Sequence, residues 1–269
     1  MRTQEVASAT LKEIHRIFDD LRTRRDIWEI FNDWLAMFAI AISNSVDFAH
    51  RDYREKAYMD IVKKYSQKDL EKLSTLCSKL VEIMEYHATK GRLLDVLGDI
   101  FHELAIHNKL KGQFFTPQEI ADMMGKIVGF ENDLISQKGY VAVAEPSAGS
   151  GACVLGYANA MRERGFSYST QLVVQAKDID PKCVHMAYIQ LSLYGIPAVI
   201  IQGDTLADTE IARWYTPIYI LDGWSMRLRM DRLRGLIGNQ EPKLQNKTPQ
   251  EVATPVFSTN EKTGQLSLF

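Results

Sequence analysis

Cysteine is scarce in this chain. Cys77, Cys153 and Cys183 are odd in number and far apart, which excludes a cysteine-only four-ligand zinc site and fits a reducing, cytoplasmic setting. They read best as small core residues, and no metal site is expected. Long apolar runs are missing too. Leu35 to Ile42 falls well short of the roughly 18 residues of a membrane span and begins beside Asp33 and Trp34, so no membrane association is expected. The N-terminus lacks the basic, apolar, small-residue order of a secretory signal. Charge of either sign is not in excess: the formal net charge is -2, which argues against nonspecific coating of nucleic acid while permitting a local basic groove. What is present is enough apolar residue, 46% of 269, to bury one sizeable core and a smaller second one.

Hydrophobic spacing divides the chain into three parts. Residues 1–109 read as a helical subdomain, because Trp28, Phe31, Leu35, Phe38 and Ile42 recur at three- and four-residue steps. Leu73, Leu76, Leu80, Ile83 and Met84 repeat that pattern. Residues 110–238 alternate short apolar runs with helical stretches, predicting strands at Val141–Ala144, Leu172–Val174, Ala198–Ile201 and Ile218–Leu221. That order is a βαβ series and gives an α/β fold class. Residues 239–269 lose periodicity, carry Pro242, Pro249 and Pro255, and are expected to form a flexible tail.

The strand ends hold the informative residues. Glu145-Pro146-Ser147-Ala148-Gly149-Ser150-Gly151 follows the first predicted strand, and its small residues let backbone approach a ligand closely. Asp178, at the end of the second, offers a carboxylate to two ribose hydroxyls, and Ile179 offers apolar cover for a base. Asp204, within Gly203-Asp204-Thr205-Leu206, suits an exocyclic amino group. Each acidic corner taken singly is also an ordinary helix-capping strand exit. NAD fits less well, since Val154 stands where the third glycine of its fingerprint belongs.

This ordered set resembles the amino-group DNA methyltransferases that use S-adenosylmethionine, and most closely the adenine-N6 modification subunits of type I restriction systems. The likeness runs from about Asp95 to Leu221. Lys111 to Pro117, with Phe115 and Thr116, resembles the cofactor-contacting motif before the first strand, and Asp95 to Phe101 resembles the preceding helix of relatives on mobile elements. The resemblance implies a Rossmann-like S-adenosylmethionine-dependent methyltransferase fold. The cofactor would be held by Phe115, Thr116, Glu145, Pro146, Ser147, Gly149, Gly151, Asp178, Ile179, Asp204 and Thr205.

The likeness departs at the catalytic loop, where the family places Asn or Asp, Pro-Pro, and an aromatic residue after the fourth strand. Here Ile218–Leu221 is followed by Asp222-Gly223-Trp224-Ser225, so Asp222 is the expected acceptor and Trp224 the expected stacking ring. Neither proline is present. Thr216-Pro217-Ile218-Tyr219 has a similar order, but it precedes the apolar run and so falls at the wrong end of that predicted strand. Arg227, Arg229, Arg232 and Arg234 are candidate phosphate contacts, with a solvated face paired to Asp231 as the alternative. DNA-site reading is left to residues 1–109 or to a separate specificity subunit. In the tail, Gln265, Leu266, Leu268 and Phe269 resemble the short peptide by which bacterial proteins bind the replication sliding clamp. The expected activity is methylation of adenine N6 in DNA. Alternatives are a noncatalytic cofactor-binding or DNA-associated protein, and methylation of an RNA or protein amino group.

Overall fold

The protein is described from a computed structural model covering residues 2–105, 115–128, 132–238, 259–260 and 265–266. Four helices come first: α1 (Arg2–Leu21), α2 (Ile27–Asn44), α3 (Arg51–Val62) and α4 (Gln67–Thr89). Asp26 starts α2 by accepting from the amides of Trp28 (2.9 Å) and Glu29 (3.2 Å), and Ser66 starts α4 by accepting from Asp69 N (3.2 Å). In α2, Phe31 and Leu35 are buried as the spacing predicts, while Trp28, Phe38 and Ile42 are half-buried. All five predicted apolar positions of α4 are buried.

Next come α5 (Val96–Ala105), α6 (Gln118–Val128) and α7 (Asn132–Lys138), then the sheet: β1 (Val141–Glu145), α8 (Ala152–Glu163), α9 (Tyr168–Gln171), β2 (Leu172–Asp178), α10 (Pro181–Leu193), β3 (Ala198–Gln202) and β4 (Ala212–Tyr215). The strand order is β1-β2-β3-β4. β1 pairs parallel with β2 (Val141 opposite Leu172), and β2 parallel with β3 (Val174 opposite Ala198). β4 runs antiparallel to β3, with Gln202 opposite Ala212 and Val199 opposite Tyr215. The carboxyl ends of β1, β2 and β3 therefore point one way, and β4 returns the chain to their amino ends.

The predicted fourth strand is not a strand. Pro217–Leu221 forms the short helix α11, and Trp224–Gly238 forms α12. Pro217 stands in the first turn of α11, where its locked φ suits a helix and its missing amide costs nothing. Thr216 is fully buried, its hydroxyl donating to Ile196 O (2.9 Å) and accepting from Ala198 N (2.9 Å), so the chain is pinned at the start of β3 before the helix begins.

A single apolar cluster runs from Ile14, Phe18 and Trp34 through Leu97 and Ile100 to Val143, Val174, Tyr188 and Ile200. The helical and α/β parts thus share one core on one face of the sheet. On the other face Tyr140, Val173, Val199 and Ile201 pack with Tyr219 and Trp224. α6 lies tight on α8, because Gly156 brings the backbones together: a Cβ there would stand 2.2 Å from Ala121 O. Of the tail, Thr259–Asn260 (β5) and Gln265–Leu266 (β6) pair antiparallel, and β6 lies beside β1. Among the described residues no helix is long and apolar enough to cross a membrane.

Candidate cofactor site at the carboxyl end of the sheet

Three loops meet where β1, β2 and β3 end. The turn after β1 takes Gly149 through φ +54° and Gly151 through φ +100°, left-handed values that favour glycine. A Cβ on Gly149 would also meet the Phe115 ring at 3.0 Å. The turn is tied to β2 on both sides: Ala148 N donates to Lys177 O (2.9 Å), and Gly149 N donates to Asp178 Oδ2 (2.8 Å). The other Asp178 oxygen accepts from Asp180 N (3.0 Å), and Asp180 in turn caps α10 through Lys182 N (2.9 Å). Each Asp178 oxygen keeps a second lone pair.

The third loop is closed by Asp204, whose Oδ1 accepts from Leu206 N (2.8 Å) and Ala207 N (3.0 Å). Thr205 donates to Pro146 O (2.6 Å), which bridges the first and third corners directly. Ile179 is 62% exposed beside them, an apolar surface without protein cover. Thr116 is half-buried and hydrogen-bonds the Cys153 thiol, which burial holds above its ordinary pKa. The structure thus gathers Phe115, Thr116, the Glu145–Gly151 turn, Asp178, Ile179, Asp204 and Thr205 around one set of loops.

Glu145 is 3% exposed. Its Oε1 accepts from Ser147 N (2.9 Å), while Oε2 is buried with no partner among the described residues. Burial raises its pKa; the Ser147 amide opposes that shift and the Asp178 charge adds to it. A buried carboxylate oxygen left open is costly unless a ligand completes it.

Sequence reasoning missed the support beneath these loops. Asp95 is buried where α5 begins and accepts from Gly98 N (2.9 Å), from Gln190 Nε2 (2.7 Å) and from the Ser150 hydroxyl. Gln190 also donates to Ser150 O (2.8 Å) and accepts from Leu97 N (3.1 Å). These contacts lock the glycine turn to α5 and α10. Residue types alone carried no signal of them, since the partners lie 55 and 95 positions apart.

The residues expected to catalyse lie away from these loops. β4 delivers the chain to the amino end of the sheet, so Asp222 and Trp224 follow from the wrong end. A five-residue strand at about 3.3 Å per residue separates the two ends of β1 by roughly 16 Å. Trp224 is 1% exposed and packs edge-on against Tyr140 (5.3 Å), leaving no face for a base. Asp222 is exposed beyond α11. The tetrad Thr216 to Tyr219 does follow a strand after all, but Thr216 and Tyr219 are buried at that same amino end.

Arg227, expected as a phosphate contact, is engaged within the protein. Its guanidinium donates to Gly139 O (3.2 Å) and Thr170 O (3.3 Å) and lies over the Trp224 ring (4.4 Å). Arg229 and Arg232 are exposed, and Arg234 pairs with Asp231 (3.4 Å). Gln265 and Leu266 form β6, whereas Leu268 and Phe269 lie outside the described residues. Among the described residues no cluster of potential metal ligands occurs.

The class is a Rossmann-like α/β domain whose loops gather at the carboxyl ends of parallel strands, where such domains hold their ligands. The sequence model of the family described as N-6 DNA Methylase matches residues 92–221 of the chain. No curated protein matches the chain. Among solved structures, it is similar to a Listeria monocytogenes protein assigned to the class I S-adenosylmethionine-dependent methyltransferases, at 14% identity and a TM-score of 0.45 over 76% of this chain and 56% of that one. It is also similar to the type I restriction-modification system methyltransferase subunit from Streptococcus thermophilus, at 15% identity and a TM-score of 0.35 over 75% and 60%. The chain thus spans less than two thirds of either structure.

Proposed function

We propose that the carboxyl end of β1 to β3 binds S-adenosylmethionine and that the protein performs the chemistry of the family whose model it matches, methylation of adenine N6 in DNA. The observation that carries this reading is the joined set of corners: Gly149 braced on Asp178, Thr205 on Pro146, and an open Glu145 oxygen among them. Asp178 would accept from the ribose hydroxyls, Ile179 would cover the base, and Asp204 would accept from the adenine amino group of the cofactor. The open Glu145 oxygen and the short Thr116 side chain suit the cationic methionine end. The cofactor supplies an activated methyl group. For transfer, a target adenine would be flipped to this end of the sheet, and alignment would matter more than a strong base.

A second reading, cofactor binding without turnover, is favoured by one observation: Thr216, Asp222 and Trp224 all belong to the amino end of the sheet. Incubation with S-adenosylmethionine labelled in its methyl group, with and without cellular DNA, RNA and protein, separates the two. Label on adenine N6 supports the methyltransferase. Cofactor binding by calorimetry with no label on any substrate supports the second reading, and a folded protein that binds neither S-adenosylmethionine nor its demethylated product refutes both.

Attachment to a bacterial sliding clamp through Gln265, Leu266, Leu268 and Phe269 is a further part of the proposal, resting on the sequence likeness. Deleting these residues should abolish clamp capture and leave cofactor affinity unchanged; equal capture by both forms rules the site out. Assembly with a separate DNA-reading subunit is proposed on the same footing as DNA itself, from the family.

A further inference from the structure

α12 has two faces of opposite character. Trp224, Arg227, Leu228 and Asp231 turn inward: Trp224 is buried, Arg227 spans Gly139 and Thr170, Leu228 packs on the second core, and Asp231 hydrogen-bonds Tyr140. The opposite face carries Met226, Met230 and Leu233 at i, i+4 and i+7, one stripe of a 3.6-residue helix. They are 61%, 44% and 45% exposed. Scattered apolar side chains on a surface need no explanation, but a helical stripe of them does.

Charge flanks the stripe with one sign. Arg229 and Arg232 lie along one side and Arg234 along the other, all exposed. Over Trp224 to Arg234 the helix has four arginines against one aspartate, Asp231, which is already engaged with Tyr140 and Arg234. Apolar anchors rimmed by arginine match the composition of protein interfaces, where methionine and arginine are enriched.

We propose that this outer face of α12 is a docking surface for an acidic amphipathic helix of a partner protein. A second copy of the same helix is a poor occupant, since it would set arginines against arginines. Nucleic acid is also a poor occupant, because a phosphate backbone leaves Met226, Met230 and Leu233 without apolar cover. The first turn of α12 is, moreover, anchored at the amino end of the sheet, away from the corners described above. Leucines of the partner would fill the stripe while its carboxylates pair with Arg229, Arg232 and Arg234, a helix-on-helix mode with anchors at i, i+4 and i+7. This surface stands apart from the cofactor reading and does not depend on it.

The test uses the full chain and a fluorescein-labelled peptide with leucines at i, i+4 and i+7 and glutamates on its other faces. Controls are the same residues in scrambled order, a lysine-for-glutamate version, and labelled duplex DNA. Saturable anisotropy with the acidic helix alone is expected, with hydrogen-exchange protection over Trp224 to Arg234 in the unaltered protein. Changing Met226, Met230 and Leu233 together to Gln should weaken binding at least about tenfold, as should R229E with R232E, and melting temperatures should stay unchanged because these side chains are exposed. No binding, equal binding of the scrambled peptide, or no protection of α12 overturns the proposal. So does duplex DNA binding that is lost in the arginine variant and kept in the glutamine variant. Concentration-dependent dimers that disappear in the glutamine variant would overturn it in favour of self-association.

Discussion

Glu145 is the residue at which burial and charge bear most directly on ligand binding. Burial raises its pKa, so the folded chain holds this proton more tightly than the unfolded one, a contribution to stability that is complete below the unfolded value and lost as pH rises through the folded value. A cationic sulfonium or amino group placed beside it would draw the pKa back down, so cofactor binding should release protons and tighten with rising pH across that range. Calorimetry in buffers of different ionisation enthalpy reads the release directly. The E145Q protein should show none, and absence of release in the unaltered protein would mean that Glu145 does not face the cation. Asp178→Ala should weaken S-adenosylmethionine binding by about 1–3 kcal/mol, roughly 5- to 150-fold in Kd, through lost charge-assisted hydrogen bonds. Asp222→Ala, at the other end of the sheet, should leave Kd unchanged. A larger loss at Asp222 than at Asp178 would overturn the placement of the site.

Among the elements, the segment from β4 to α12 decides what this domain presents. Ile218–Leu221 has the composition of a buried strand, and a short apolar run cannot by itself be told from a helix. Pro217 and the buried Thr216 hydroxyl settle the matter locally, while antiparallel pairing of Ala212–Tyr215 with β3 settles the direction. Thr216→Val preserves shape but leaves Ala198 N unpaired in the core. Urea unfolding should register a loss of about 1–3 kcal/mol. A neutral result would show that the hydroxyl does not anchor the turn. The first three strands, by contrast, were legible because each is an apolar run closed by a glycine or aspartate corner.

At the scale of the whole molecule, the helical and α/β parts are joined through their shared core and through Arg54. Its guanidinium pairs with Asp47 (2.7 Å), donates to Arg213 O (2.8 Å) and lies over Trp214 (4.1 Å), linking α3 to β4. His185 of α10 packs edge-on against the same Trp214. Burial pushes its pKa down to about 4; the Asp180 charge opposes that shift and Arg54 adds to it. The unfolded chain then binds a proton that the folded one rejects between about pH 6.5 and 4. Stability from neutral His185 is therefore complete above pH 6.5 and is lost as pH falls through that window. The melting temperature of the unaltered protein should fall more steeply from pH 7 to 5 than that of H185Q, and parallel curves would refute the effect. The division at residue 109 was drawn from periodicity, and no local pattern announces which helix faces will share a core.

What the chain determined locally is the set of elements with their own chemical punctuation: the heptad-like stripes of α2 and α4, three strands, and the acidic and glycine corners that end them. Those features depend on neighbours in sequence, on capping, on left-handed turns and on the alternation of apolar residues, so they can be read without the fold. Tertiary structure alone decided the rest. It set Asp95 beneath Ser150, turned β4 antiparallel, sent Asp222 to the far end of the sheet and buried Trp224. Each of these depends on which distant surface satisfies a hydrogen bond or covers an apolar face, and that choice is made between elements, not within them.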